Sequence, residues 1–422
     1  MKKSMRITIM AVAICLIMGA WAAAFAKAEA DRNCAATTEG TATVAASDAT
    51  GSVALLNAGT GAETGAAAGT PLLIREDLFS DRDLQQEADL ADAVTYEAVD
   101  GQDIRITEAG VYVLTGSAQE VTVFVEADKE AKVQLVLDSL TVTNGSAPVI
   151  YVKSADKVFV TTASDSSLAV TGAFTADGDT GTDGVIFSKA DLVLSGTGKL
   201  TIDSAENGVV GKDDLKVTGG TYVITARVKA MEANDSIRVA GGVLQLTAGT
   251  DGLHAENNDD SSKGYIYIGG GTLLLNVGDD AIHATTIVQV DDGVITATAA
   301  EGIEATCVQL NGGTIAIDSW DDGINAAQKS NAYRATVEIN GGDITITMAA
   351  GDTDGVDSNG DIIVNGGTIR VTGNSTFDCD GSAQYNGGTI IANGQQISYI
   401  PNQMMGGRGG RGGGRGGWGG RG

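Results

Sequence analysis

The chain has 422 residues with 59 glycines, three prolines and 43 % apolar residues, so it can bury a large core and is not a Pro-rich disordered chain. Aromatics make up only 5 %, which leaves the packing to small and β-branched residues and favours stacked β-structure over a helical bundle. The formal net charge is −27, and setting aside the four arginines of the acid-free C-terminal tail (Arg408, Arg411, Arg415, Arg421) leaves −31; such a field excludes attraction to nucleic acid or anionic membranes but suits divalent cations.

In chain order, Lys2, Lys3 and Arg6, the apolar run from Ile7 to Trp21 and Ala24-Phe25-Ala26 read as a signal peptide over residues 1–26. Export to the extracellular space or cell surface follows, and Cys15 is lost with the signal. No second apolar stretch is long enough to span a membrane. Residues 27–70, rich in Ala, Thr and Gly, read as a flexible linker. Residues 71–103 read as a segment capping the end of the repeats, with a short helix around Leu84 to Ala93. Residues 104–400 form the repeat domain, and 401–422 a disordered Gly/Arg tail. Cys34, Cys307 and Cys379 remain after export; an odd count on unrelated segments is neither a disulfide framework nor a zinc pattern, and Cys307 and Cys379 are expected in the core.

The repeats are turn-then-strand units. Val217-Thr-Gly-Gly-Thr-Tyr-Val-Ile-Thr is followed by Val239-Ala-Gly-Gly, Ile268-Gly-Gly-Gly, Leu310-Asn-Gly-Gly, Ile339-Asn-Gly-Gly, Val364-Asn-Gly-Gly and Tyr385-Asn-Gly-Gly, each leading into alternating residues. Gly-Gly and Asn-Gly pairs tolerate the positive φ of a tight corner. The second glycines, from Gly220 and Gly242 to Gly367 and Gly388, recur with a basic step of 22 and two steps of 29. That period predicts an all-β parallel β-helix, a solenoid of roughly ten or more coils. The two long steps carry polar inserts, Glu256 to Lys263 and Gln328 to Arg334, on what is expected to be a binding face.

A second motif, acid-small-apolar-polar-small, precedes most strands: Asp251-Gly-Leu-His254, Asp280-Ala-Ile-His283, Glu301-Gly-Ile-Glu304, Asp322-Gly-Ile-Asn325 and Asp354-Gly-Val-Asp357. Lys229 holds the acid slot one unit earlier. Stacking about 4.8 Å apart would set Asp251, Asp280, Glu301, Asp322 and Asp354 in one column, with Asp279, Asp321 and Asp352 beside it and Asp357 in the neighbouring one. Two carboxylates at that spacing repel by about 3 kcal/mol at an effective dielectric of about 20, so a cation is expected among these nine acids, and calcium, which takes six to eight oxygens, is the natural one. The competing reading is that Asp-Gly is merely a good corner dipeptide. His254 and His283 read as a stacked polar pair, since zinc asks for a third or fourth N or S ligand.

Phe79-Ser-Asp-Arg-Asp-Leu84, Val133-Gln-Leu-Val-Leu-Asp138, Ala147-Pro-Val-Ile-Tyr151, Ser188-Lys-Ala-Asp-Leu192, Leu194-Ser-Gly-Thr-Gly198 and Gly264-Tyr-Ile-Tyr-Ile268, taken with the Asp251-Gly-Leu corner, resemble a family of secreted clostridial-type carbohydrate-binding proteins formerly classed as a domain of unknown function. The resemblance spans about residues 78 to 395. It implies a right-handed β-helix like that of calcium-dependent pectate lyases, binding of polygalacturonate (pectin) and cellulose without established catalysis, and calcium ligation by Asp251, Asp280, Asp322 and Asp354. The leading expectation is therefore a monomeric, non-catalytic protein that binds cell-wall-type polysaccharide through Ca2+. The alternatives are a calcium-dependent polysaccharide lyase, with Lys229 as the candidate base or else salt-bridged to Asp251, and a structural surface or adhesion protein.

Overall fold

The computed structural model describes residues 69–351 and 353–401. The signal, the linker apart from its last two residues, the tail from residue 402, Cys34 and Asp352 lie outside the described residues. Among the described residues the fold is all-β with parallel sheets: 22 strands in one sheet and 12 in the other, with one four-residue helix, Arg75–Leu78. No helix among the described residues is long and apolar enough to cross a membrane.

The strands stack in three rows, each strand pairing in parallel with its counterpart in the next layer. In the first row Leu194, Val217, Val239, Ile268, Val290, Leu310, Ile339 and Val364 stand one above another. In the second, Ile202, Ile224, Leu246, Leu275, Ala297, Ile317, Ile346 and Val371 do the same. The third row, which is the smaller sheet, stacks Met231, Leu253, Ile282, Ile303, Ile324, Val356 and Phe377. These columns are buried and form one continuous core. Like stacks on like because the repeat puts the same residue class at the same register in every layer. The stack ends in the single antiparallel strand pair, Thr389–Ala392 with Gln395–Ile397.

The Gly-Gly corners join the first and second rows. Their second glycines, Gly220 to Gly388, all have φ between 80° and 117°, which only glycine adopts without strain. The asparagines before them do more than turn the chain. Asn340 Nδ2 donates to Asn311 Oδ1 at 2.8 Å, Asn365 Nδ2 to Asn340 Oδ1 at 2.7 Å, and Asn386 Nδ2 to Asn365 Oδ1 at 2.7 Å, an amide ladder running from layer to layer.

The capping segment takes another course than expected. Residues 69–86 lie along the outside of the first row and cross successive layers: Leu73 exchanges bonds with the Gln289 amide (2.7 and 2.9 Å), Arg238 Nη1 donates to Leu78 O, and Gln86 accepts from Gly196 N. Asp83, buried, receives Lys216 Nζ at 2.8 Å and Lys157 Nζ at 3.1 Å; burial opposes its charge, but the two ammonium groups outweigh it and hold the pKa at about 2. Leu73 and Leu78 pack with Tyr265, Tyr267, Ile287 and Cys307 in a cluster separate from the core, so Cys307 sits beneath this strap while Cys379 is in the core. The helix expected at Leu84 to Ala93 is absent; those residues form turns and irregular chain, because Gln86 spends its amide on strand backbone that propensity alone does not register. Val94–Glu97 and Ile104–Ile106 pair in parallel with the following strands and belong to the first layer.

Candidate functional site

The acid-small-apolar-polar-small motif forms the third row. Its apolar residue points into the core and its polar residue outward, so Glu232, His254, His283, Glu304, Asn325, Asp357 and Asp378 form one outward column. The glycine of the motif is not a corner. Gly252, Gly302, Gly323 and Gly355 lack positive φ, and a Cβ on Gly302 or Gly323 would lie 2.3 or 2.4 Å from the carbonyl oxygen of the next layer. At these positions the next layer comes too close for a side chain, while Ala281 fills the same slot in its own layer, and the absence of a positive φ removes the reading of Asp-Gly as a turn dipeptide. The acid is left beside the column and tied across layers: Asp280 N donates to Asp251 Oδ1 at 3.3 Å, and Asp354 N to Asp322 Oδ1 at 2.9 Å.

In the upstream part, basic groups meet the acids. His254 Nδ1 lies 2.8 Å from Asp251 Oδ2, and His283 Nδ1 lies 2.6 Å from Asp280 Oδ2 and 3.0 Å from Glu304 Oε2. The two imidazoles stack with centroids 4.5 Å apart. Lys329, from the second insert, reaches Glu304 Oε2 at 2.8 Å. Burial disfavours a charged His283, but its bonds to Asp280 and Glu304 prevail and lift its pKa to about 9. Burial likewise opposes the charges of Asp251 and Glu304, yet His254 holds Asp251 below its ordinary value, and His283 and Lys329 hold Glu304 down. Asp280, His283 and Glu304 have the spacing of a metal site, with Lys329 Nζ also on Glu304.

The downstream part has no such partners. Asp354, Asp357 and Asp378 each bring a carboxylate oxygen within 4.8 Å of the others. Among the described residues none of them, nor Asp322, makes an ion pair. The buried oxygens Asp354 Oδ1, Asp378 Oδ1, Asn325 Oδ1 and Ser375 Oγ have no hydrogen-bond partner. Burial, with the charges of Asp322 and Asp354, pushes Asp357 up to about 7; burial, with Asp321 and Asp354, pushes Asp322 to about 6; burial and Asp354 raise Asp378. Buried acceptor oxygens with no donor and mutually repelling carboxylates fit a hard divalent cation, which would take up the lone pairs and cancel the repulsion.

Of the nine acids expected to hold metal, then, Asp322, Asp354 and Asp357 come together. Asp251 and Asp280 are each contacted by a histidine, and Asp280 belongs with His283 and Glu304 to a second group with metal-site spacing. Asp279 and Asp321 are exposed at the corner, and Asp352 lies outside the described residues. Glu301 accepts from Asn325 Nδ2 at 3.1 Å, and burial with the charges of Glu304 and Asp280 raises its pKa to about 8, favouring a neutral acid. Asp378 was missed because its motif, Ser375-Thr-Phe-Asp378-Cys379, begins with serine; the apolar-Asp-small ending at the register of Val356-Asp357-Ser358 was the available signal. Lys229 does not meet Asp251: its Nζ reaches Glu232 Oε2 at 3.1 Å, three residues along the chain, while His254 holds Asp251.

Both inserts flank the upstream part. A polar cleft of 310 Å³ lies between His254, Glu256 and Asn257, and a second of 400 Å³ between Asn258, Thr285 and Lys329. Residues 100–353 and 296–397 match the family model described as carbohydrate-binding domain-containing protein. The chain belongs to that family. A carbohydrate-binding domain-containing protein of Acetivibrio thermocellus is 33 % identical over 141 residues, 32 % of this chain and 49 % of that protein, so the match spans about half of the relative's length. A solved structure described as the polysaccharide lyase-like protein from C. thermocellum, gadolinium derivative, is 27 % identical with a TM-score of 0.45, covering 60 % of this chain and 98 % of its own.

Proposed function

We propose that this family member is an exported, non-catalytic, calcium-dependent carbohydrate-binding protein, built as a right-handed parallel β-helix and taking an acidic cell-wall polysaccharide of the polygalacturonate type. Membership of a carbohydrate-binding family supports the ligand class. The observation that carries the calcium reading is the group of partnerless buried oxygens on Asn325, Asp354, Ser375 and Asp378 beside Asp357. Asp354, Asp357 and Asp378 would hold the ion, with Asn325 and Asp322 adjacent. The bound ion supplies positive charge to which a uronate carboxylate can be attracted, which answers how a chain of net charge −27 takes an anionic polymer. The protein's own part is to keep three carboxylates converged on a ladder whose backbone is fixed by its neighbours.

Binding is preferred over lyase chemistry because the ammonium of Lys229, the one candidate base, is held by Glu232, which Lys212 Nζ also contacts at 3.1 Å. The test is co-sedimentation of the mature chain with insoluble polygalacturonate in calcium and in chelator, with unsaturated product followed in the supernatant. Retention in calcium that is lost in chelator, without product, is the expected result. Product would turn the reading to a lyase, and no retention in either condition would turn it to a structural role.

A further inference from the structure

Seven large apolar side chains are exposed among the described residues. Five lie between Ile74 and Val99, in the strap and first layer, and Tyr399 closes the C-terminal end. Trp320, 48 % exposed, alone stands in the middle of the stack. It sits where the second-row strand Thr314–Ser319 turns toward the third-row strand Ile324–Ala326, immediately before Asp321 and Asp322.

The corner is cleared around it. Trp320 N donates to Ala299 O (3.4 Å) and Asp321 N to Ala300 O (2.9 Å) in the layer before, while Ala349 N donates to Ser319 O (2.8 Å) in the layer after. The corner neighbours are thus Ala300 on one side and Ala349 and Ala350 on the other, too small to cover an indole. Among the described residues the ring has no aromatic, cationic or hydrogen-bond partner through its side chain. A tryptophan with an open face and a free N–H is the side chain best suited to anchor a flat ligand that is apolar on one side and polar at its rim. A pyranose ring has that character: axial C–H groups on a face, hydroxyls around the edge.

We infer that Trp320 is a sugar-stacking platform near the cation cluster, so that one pyranose residue lies on the indole while the carboxylate of a uronate in the same chain faces the group of Asp354, Asp357 and Asp378, to which Asp322 is adjacent. This rests on the proposed carbohydrate-binding function and deepens it: the ligand must offer an apolar pyranose face and an acid group a short step apart, which an acidic polysaccharide does and an uncharged glycan does only in part.

The test compares wild type, Trp320→Ala and Trp320→Phe as full mature chains, using calorimetric calcium titration, co-sedimentation with polygalacturonate and with cellulose, and tryptophan fluorescence with soluble oligogalacturonate. Trp418 is common to all three proteins, so the difference spectrum reports Trp320. The expected result is unchanged calcium affinity, a loss of at least tenfold in polygalacturonate affinity for Trp320→Ala, partial retention for Trp320→Phe, and a ligand-induced fluorescence change only in wild type. If Trp320→Ala sediments with the polymers as wild type does, the platform is overturned and the binding function stands. If wild type sediments with neither polymer, both fall.

Discussion

The upstream and downstream halves of the third row share a backbone ladder, a register and a motif, yet they reach opposite electrostatic states. Upstream, most of the column acids have a basic partner from the protein itself: His254 on Asp251, His283 between Asp280 and Glu304, and Lys329 brought back onto Glu304 by the second insert, with Glu301 left to the neutral amide of Asn325. Downstream, Asp322, Asp354, Asp357 and Asp378 have no basic partner among the described residues, and burial with the neighbouring carboxylates raises Asp322, Asp357 and Asp378. A parallel ladder forces like residues together, and the charge must then be met from inside the fold or from solution. The comparison separates a self-neutralised, structural half from a half that asks for a cation.

The largest effect should come from calcium on the downstream half. A ligand at a thousandfold excess over its Kd stabilises by about 4 kcal/mol, so thermal unfolding should move up in calcium by an amount that Asp354→Asn with Asp357→Asn abolishes. In chelator the double variant should unfold later than wild type, since it removes repulsion. A calcium response that survives these changes but vanishes in Asp280→Asn would reverse the assignment of the halves.

The upstream half should show itself in pH. His283 is raised from 6.5 to about 9 in the fold. A group with a raised folded pKa gives stability that is complete below the unfolded value and is lost as pH climbs through the folded one. Stability from this histidine should therefore be intact below about pH 6.5 and fade by about pH 9, a loss on the order of 3 kcal/mol. Denaturant midpoints across that window should fall in wild type and fall less steeply in His283→Gln, where the slope that remains comes from Asp357 and Glu301.

Lys329→Met should come next, at about 2 kcal/mol, because it leaves Glu304 buried with one partner fewer; if chemical denaturation shows no change, the second insert is not what neutralises this half. Lys229→Ala should be the mildest. Its partner Glu232 keeps Lys212, so the cost should stay under about 1 kcal/mol, with no change in polysaccharide binding or product formation.

How much of this was readable beforehand varies by residue. The Gly-Gly corners were legible because positive φ writes itself into sequence as glycine, and Asp354 with Asp357 because the motif repeats. Asp378 was hidden by one serine. The strap was read as a cap with a helix because a segment that binds through single side chains, Gln86 and Asp83 to distant strands, leaves no period to detect.

The sequence by itself determined the repeat, the residues that turn and those that face the core, since backbone conformation and hydrophobic alternation are local and recur in every layer. Only the tertiary structure decided which acids share a cation and which find a histidine or lysine. That choice depends on which groups from other layers, from an insert or from the strap arrive within about 3 Å, and separation in the chain does not encode it.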